Sequence, residues 1–190
     1  PSADHTDPPA AFRLTRPSGR CIPRAARYSR RQGSTGQAGM DQSTDIAIHP
    51  IIARDEAQWR RLWHAYLEFY NTTLPEEVYA TTFARLLSGQ PNEFRGYIAS
   101  AGGRAVGLVH YLFHRTCWAV ADTCYLQDLY VDPEARGLGI GRKLIEAVYA
   151  AADVHGAANV WWLTQDFNAT ARQLYDRIGV KGPFIRYTRR

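Results

Sequence analysis

The sequence predicts one α/β domain built on a mixed central β-sheet of about six to seven strands flanked by about four helices. Three observations carry that prediction. From residue 45 onward, hydrophobic periods of 2 and 3.6 follow one another in the order β α α β β β α β α β. A glycine-rich junction, Arg136-Gly-Leu-Gly-Ile-Gly141, joins an apolar strand to a long amphipathic helix. The composition, 45% hydrophobic and 12% aromatic over 190 residues, supplies enough apolar surface for a packed core.

Each element has its own warrant. Ile46, Ile48 and Ile51/Ile52 mark a first strand. Trp59, Leu62, Trp63, Tyr66 and Tyr70 recur at helical spacing. Pro75 suits a first helical turn, and a second helix runs from there to about Gly89. Residues 94–101, 104–114 and 119–131 read as three successive strands, with Gly102-Gly103 as the hairpin turn between the first two. A long helix runs from about Gly139 to His155. It carries Leu144, Ile145, Val148 and Ala152 on one face and has Gly156 as its C-cap. Residues 158–164 read as a buried strand, 168–178 as a helix with Leu174 and Ile178 inward, and 184–188 as a closing strand.

Residues 1–39 show neither period and are rich in Pro, Gly, Ser and Arg. They are expected to be a disordered basic N-terminal extension ahead of an ordered domain at 40–190. The one Met, Met40, precedes the first patterned segment, so the working protein is expected to begin near it. A targeting peptide or a nucleic-acid arm are the other uses of such an Arg-rich stretch. The formal charge of +5 belongs to this extension, which holds seven Arg against two Asp. Residues 40–190 hold 16 basic and 16 acidic side chains, and that neutral body argues against nucleic acid as a partner.

Cys21, Cys117 and Cys124 show no metal-ligand spacing, and no apolar run reaches the length of a membrane span. The expectation is a cytoplasmic protein without metal or membrane partner. Cys117 and Cys124 read as small core residues on strands, which favours direct transfer over a covalent intermediate. His49, His64, His110, His114 and His155 share no ligand spacing and read as structural.

The densest chemical signal is the junction from Val131 to Lys143. The first N–H groups of a helix lack intrahelical partners, and with the helix dipole they attract anions. Glycines let the backbone approach a phosphate closely, and Arg136, Arg142 and Lys143 add positive charge. A dinucleotide fingerprint would need glycine where Arg142 stands. A P-loop would need Lys and Ser or Thr after its glycine, which Gly141-Arg142-Lys143-Leu144 lacks.

Arg136-x-x-Gly139-x-Gly141 resembles the Gln/Arg-x-x-Gly-x-Gly/Ala signature of the GCN5-related N-acetyltransferases, the GNAT family. It stands in that family's position, between the fourth strand and the third helix. The resemblance covers about residues 45–190 and implies the GNAT fold with acetyl-CoA as co-substrate. It implies that the loop of Arg136, Gly137, Leu138, Gly139, Ile140, Gly141 and Arg142 holds the pyrophosphate. It also implies a bulged fourth strand that splays from the next one. The pantetheine arm would lie in the notch between Leu129, Tyr130 and Val131 and the strand at 160–164, where a backbone N–H near Val131 would polarise the thioester carbonyl.

Downstream, Asn168-x-x-Ala171-x-x-Leu174-Tyr175 resembles a second family segment. Asn168 suits a helix N-cap, and in the family this Asn also contacts the cofactor. Tyr175, seven residues on and on the same face, takes the role of general acid to the departing thiolate. The stretches at 125–131 and 164–168 are similar to those of the diamine acetyltransferases and the yeast histone- and D-amino-acid-acetylating enzymes.

An ammonium of pKa about 10 must lose a proton before it attacks, at a cost of roughly 4 kcal/mol at pH 7. Related enzymes often place a Glu where Gln127 stands, and Gln cannot act as a base. Asp128 is the nearest carboxylate. It reads either as a base acting through a water or as a strand-end Asp satisfied by backbone N–H groups. Asp122 is a weaker choice, and the resemblance also allows no dedicated base. The first two helices would wall the acceptor site, with Tyr66, Glu68, Tyr70, Glu76 and Glu77 in range of a cationic amine. The expected function is direct acetyl transfer, in a ternary complex, to the amine of a small molecule, an amino acid or a protein lysine. A non-catalytic acetyl-CoA-binding or sensing module is the alternative. The resemblance also makes a homodimer a further expectation.

Overall fold

The computed structural model describes residues 45–189. The expected extension at 1–39 and the domain start at 40 lie outside the described residues.

The elements are β1 (Ile46–Pro50), α1 (Glu56–Phe69), α2 (Glu76–Leu87), β2 (Arg95–Ala101), β3 (Arg104–His114), β4 (Thr123–Val131), α3 (Ile140–His155), β5 (Val160–Trp162) and α4 (Ala169–Ile178). They form one mixed sheet in the order β1-β2-β3-β4-β5. Sequential neighbours pair antiparallel up to β4, and β5 pairs parallel to β4. A parallel neighbour needs a crossover, and α3 supplies it.

Hydrophobic patterning decides which face each helix covers. In α1 the buried residues Trp59, Leu62, Trp63 and Leu67 form one stripe. They pack with Phe83 of α2 against Ile98, Leu108 and Tyr130 of the sheet. On the other face, Leu144, Ile145 and Val148 of α3 pack against Val109, Tyr111 and Leu126. Strand β3 is therefore covered on both faces, which is why it reads as a nearly continuous apolar run. The β2–β3 hairpin turns at Gly102 and Gly103, both at positive φ, as a tight two-residue turn requires. None of the described helices is long and apolar enough to cross a membrane.

The structure corrects several expectations. Among the described residues the sheet has five strands and not six to seven. Residues 184–188 form no strand, and Phe184, Ile185 and Tyr187 are exposed. The segment has strand-forming side chains but pairs with no strand among the described residues, and strand propensity counts only where a neighbouring strand receives it. The strand expected at 119–131 begins at Thr123, after an irregular exposed stretch. Cys117 accordingly lies exposed in a turn, whereas Cys124 is buried on β4. The strand expected as buried at 158–164 shrinks to three residues at the sheet edge, and Trp161 is partly exposed. Pro75 caps α2 from outside its first turn.

Candidate active site

The site begins with a break in β4. The register pairs Leu126 with Tyr111 and Asp128 with His110, so Gln127 is an extra, exposed residue in a β-bulge. The β4–β5 pairing stops at Leu126 and Trp162, while β4 runs on to Val131. Beyond Leu126 one edge of β4 therefore has no strand partner, and N–H groups there can face a ligand. A cleft of about 420 Å³ opens at the splay, lined by Leu129, Tyr130 and Val131 on one side and Trp162, Leu163 and Thr164 on the other.

The cleft ends at the N-terminus of α3. A single 3₁₀ turn at Pro133–Ala135 carries the chain from β4 toward the helix. The turn is anchored by Asp132, a buried carboxylate that Arg61 reaches at 3.1 Å and Arg104 at 3.4 Å. The Asp132 N–H donates to the Val106 carbonyl at 2.8 Å, which fixes the loop to β3. Gly137 and Gly139 then adopt left-handed φ of 84° and 76°. A Cβ at either would meet nothing within 4 Å, so backbone conformation, and not crowding, calls for glycine there. The α3 hydrogen-bond ladder starts only at Lys143 N–H to Gly139 O, 3.0 Å. The N–H groups of the first helical turn are thus left for an anion.

Gly141 differs. A Cβ there would sit 3.4 Å from Leu174 Cδ2 and 3.8 Å from Val131 Cγ2, ordinary contacts on the cleft floor. The protein itself leaves room for that methyl. Arg136 and Arg142 line the same end. Arg136 donates from Nε to the Val131 carbonyl at 3.2 Å, and Arg142 pairs with Glu146 at 2.7 Å.

Helix α4 brings two more groups. Asn168 caps it, with Oδ1 accepting from Ala171 N–H at 3.4 Å while Nδ2 donates to Thr164 Oγ1 at 3.3 Å. Tyr175, two turns on, packs edge-on against Trp162 with ring centroids 5.5 Å apart. Burial, with a smaller push from Tyr70, raises its phenol to about 12, so the hydroxyl stays protonated through the neutral range. Both residues line the cleft.

Helix α1 closes the other end with Tyr66, Phe69 and Tyr70. Burial first, then the Asp128 carboxylate and the Tyr70 hydroxyl, push the Tyr66 phenol far above its ordinary range. Asp128 itself does not line the cleft. Its side chain is 14% exposed beside Tyr66, and Oδ2 lies 3.0 Å from Nδ1 of His110. His110 in turn accepts from Trp59 Nε1 at 2.8 Å. Asp128 thus faces the His110 imidazole and the Tyr66 phenol, in place of the backbone N–H groups considered from sequence.

Among the residues singled out from sequence, Leu129, Tyr130, Val131, Arg136, Gly137 and Gly139 line one cleft, as do Ile140, Gly141, Arg142, Asn168 and Tyr175. Leu138 points out, half exposed, and does not line it. Of the residues expected to wall the acceptor site, Tyr66 and Tyr70 line the cleft, and the carboxylates do not. Glu68 lies 3.4 Å from His64, and Glu76 pairs with Arg60 at 2.8 Å on another face of α1. Glu77 does not line the cleft either. Sequence reading missed Phe69, and it missed His110 as the partner of Asp128. The break in the apolar alternation of β4 between Leu126 and Leu129 was the available signal for that pair.

A sheet splayed around a helix N-terminus, with a protonated phenol in the wall, defines an α/β acyltransferase. The chain belongs to the acetyltransferase (GNAT) family, whose profile matches residues 59–180. It is 40% identical over 146 residues to D-amino-acid N-acetyltransferase HPA3 of Saccharomyces cerevisiae, covering 76% of this chain and 90% of the yeast protein. It is 36% identical over 80 residues to thialysine N-epsilon-acetyltransferase of Bos taurus, covering 42% of this chain and 46% of that protein. In fold it resembles aminoglycoside N-acetyltransferase AAC(6')-Iy in complex with CoA, with a TM-score of 0.69 and 16% identity. That likeness covers 80% of this chain and 98% of the other.

Proposed function

We propose that this chain is an acetyl-CoA-dependent N-acetyltransferase that acetylates the primary amine of a small molecule, with amino acids as the first class to test. The observation that carries the reading is the single cleft joining the glycine loop at 137–141 to Tyr175. The 40% identity to a D-amino-acid N-acetyltransferase supports the choice of acceptor class.

In this reading the free N–H groups of the loop and of the first turn of α3 hold the pyrophosphate, with Arg136 and Arg142 lending charge. Leu138 contributes backbone only, since its side chain points to solvent. The pantetheine arm lies between Val131 and Leu163, and Asn168 lies beside it. A β4 N–H near Val131 faces the thioester carbonyl and steadies the oxyanion. The amine enters past Tyr66, Phe69 and Tyr70, whose ring faces suit a cation. Asp128 takes the amine's proton through a water, the amine nitrogen bonds to the acetyl carbon, and the C–S bond breaks. Tyr175 gives its hydroxyl proton to the leaving thiolate and regains one, through water, as the nitrogen sheds its second proton to become the amide. Gly141 fits this picture, because a methyl there would project onto the cleft floor. The exposed run Phe184, Ile185 and Tyr187 and, separately, the sheet edge at β5 support pairing into a homodimer, which light scattering would read.

The test is CoA release from acetyl-CoA over a panel of D-amino acids, thialysine, aminoglycosides and polyamines, with acetyl-CoA titrated in the same preparation. Turnover with one amine class is the expected result. Binding without turnover on any amine favours the sensing alternative, and absence of acetyl-CoA binding overturns the reading.

A further inference from the structure

We propose that His110 is a positioning residue for Asp128, and that Trp59 fixes which imidazole nitrogen faces the carboxylate. The inference rests on the amine-acetylating reading above, since it assigns how the acceptor end of that cleft is held in place.

The direction of the chain follows from donor chemistry. An indole N–H can only donate. Trp59 Nε1 stands 2.8 Å from His110 Nε2, so that nitrogen accepts, and the imidazole N–H is on Nδ1. Nδ1 faces Asp128 Oδ2 at 3.0 Å, so His110 donates to the carboxylate. Trp59 thus fixes the tautomer of His110, and His110 fixes one oxygen of Asp128. Oδ1 is left outside that bond. In catalytic triads a third group orients an imidazole in the same way; here the oriented group is a carboxylate. The basic nitrogen of His110 is occupied by Trp59, so a proton reaching Asp128 has no onward route through the ring.

The surroundings hold this arrangement rigid. His110 is 2% exposed and Trp59 fully buried. The indole packs against Trp63 at 4.9 Å and Phe83 at 5.0 Å between ring centroids, which prevents it from turning away. The bulge at Gln127 is what makes His110 and Asp128 register partners on the face covered by α1. A polar ring in an apolar core costs stability unless it is hydrogen-bonded, and both nitrogens here are. Leucine would fill that volume but leave the buried Trp59 N–H without an acceptor and Asp128 without its donor, so the histidine serves the indole and the carboxylate together.

Two measurements on the full chain test this. The first is independent of turnover: in ¹⁵N-labelled protein, the two-bond ¹H–¹⁵N correlations of the histidine rings, assigned with His110→Asn, report the tautomer. The Nδ1–H form is expected, and a proton on Nε2 alone overturns the inference. The second compares variants by CoA release. His110→Asn keeps a donor at the Nδ1 position, whereas His110→Gln reaches Trp59 and abandons Asp128. His110→Gln and His110→Leu are expected to lower kcat/KM for the amine about tenfold or more, with His110→Asn within about threefold of wild type. Acetyl-CoA affinity should not move in any of them. Equal losses in the Asn and Leu variants, or no loss in either, overturn the positioning role. If the Leu variant does not fold, Trp59→Phe removes the N–H along with part of the buried ring, and its folding is checked by thermal unfolding first. It should lower kcat/KM for the amine with acetyl-CoA affinity intact, and wild-type activity in it counts against the tautomer lock. A wild-type chain that binds acetyl-CoA and acetylates nothing defeats the functional reading instead, and the tautomer measurement still decides this one.

Discussion

Leu126 and Leu129 pack into the same core, against α3 and α4, although three residues separate them along β4. In an unbroken strand, residues three apart point to opposite faces. The bulge at Gln127 restores the match and turns Asp128 toward α1. Gln127 is exposed and outside the register, so its side chain adds little to folding, although it lines the cleft. Gln127→Ala should change stability by no more than about 0.5 kcal/mol. Deleting Gln127 forces either Leu129 or Asp128 to the wrong face. That variant should lose acetyl-CoA binding in a calorimetric titration. Retained affinity in the deletion variant would show that the bulge does not shape the cleft.

Gly139 and Gly141 stand two residues apart and answer to different demands. Gly139→Ala strains a left-handed φ of 76° and should lower stability by about 1–2 kcal/mol, read by urea unfolding. Gly141 lies in the first turn of α3, and its Cβ would find only ordinary contacts. Gly141→Ala should therefore hold or raise stability, by up to about 1 kcal/mol on helix propensity. It should still weaken acetyl-CoA binding about tenfold or more, because the methyl intrudes on the cleft floor. A stable Gly141→Ala protein with wild-type affinity would place the donor somewhere else.

Local signals made much of the fold legible. The stripe of α1 from Trp59 to Leu67, the core face of α3 and the hairpin at Gly102-Gly103 each sit within one short window, where a single periodicity decides the conformation. The glycine loop, Asn168 and Tyr175 were readable because two short motifs carry them, and the structure sets them in one cleft. What the sequence concealed depends on distant partners. Residues 184–188 have strand-like side chains, yet they pair with no strand among the described residues. Glu76 reads as an acceptor-site carboxylate until α2 is placed and Arg60 takes it. His110 and Asp128, 18 residues apart in sequence, meet only through the antiparallel register, which the broken alternation of β4 signals without naming the partner.

Tyr175 sits in the cleft with its hydroxyl held protonated by burial, which raises the phenol to about 12. Tyr175→Phe should lower kcat about tenfold or more while acetyl-CoA affinity changes less than about threefold. The wild-type kcat profile should also lack a downward limb from this group between about pH 8 and 10, since the phenol is still protonated there. A Phe variant that turns over at the wild-type rate removes Tyr175 from the chemistry and leaves solvent as the proton donor.

Burial of several weak acids fixes how stability responds to alkali. Burial raises Cys124 from 9.0 to about 11 and, as the first of its causes, Tyr175 from 10.0 to about 12. Tyr66 and Tyr111 are pushed up further, by burial first and then by neighbouring groups. In each case the folded pKa exceeds the unfolded one, so the folded state keeps a proton that the unfolded chain releases. Their contribution is therefore fully present below about pH 9 and is lost as pH rises through the window from 9 to 12. Thermal unfolding should show a Tm that is insensitive to these groups from pH 7 to about 9 and falls steadily above it. Tyr111 offers a test away from the cleft. Its ring stacks on Tyr97 at 5.6 Å and packs edge-on against Phe113, contacts that a Phe ring keeps. Tyr111→Phe removes one proton from the balance, so its Tm should decline less steeply with pH than that of the wild type. Equal slopes in the two proteins would mean that the Tyr111 hydroxyl ionises as readily in the folded chain as in the unfolded one, against its burial beneath the sheet.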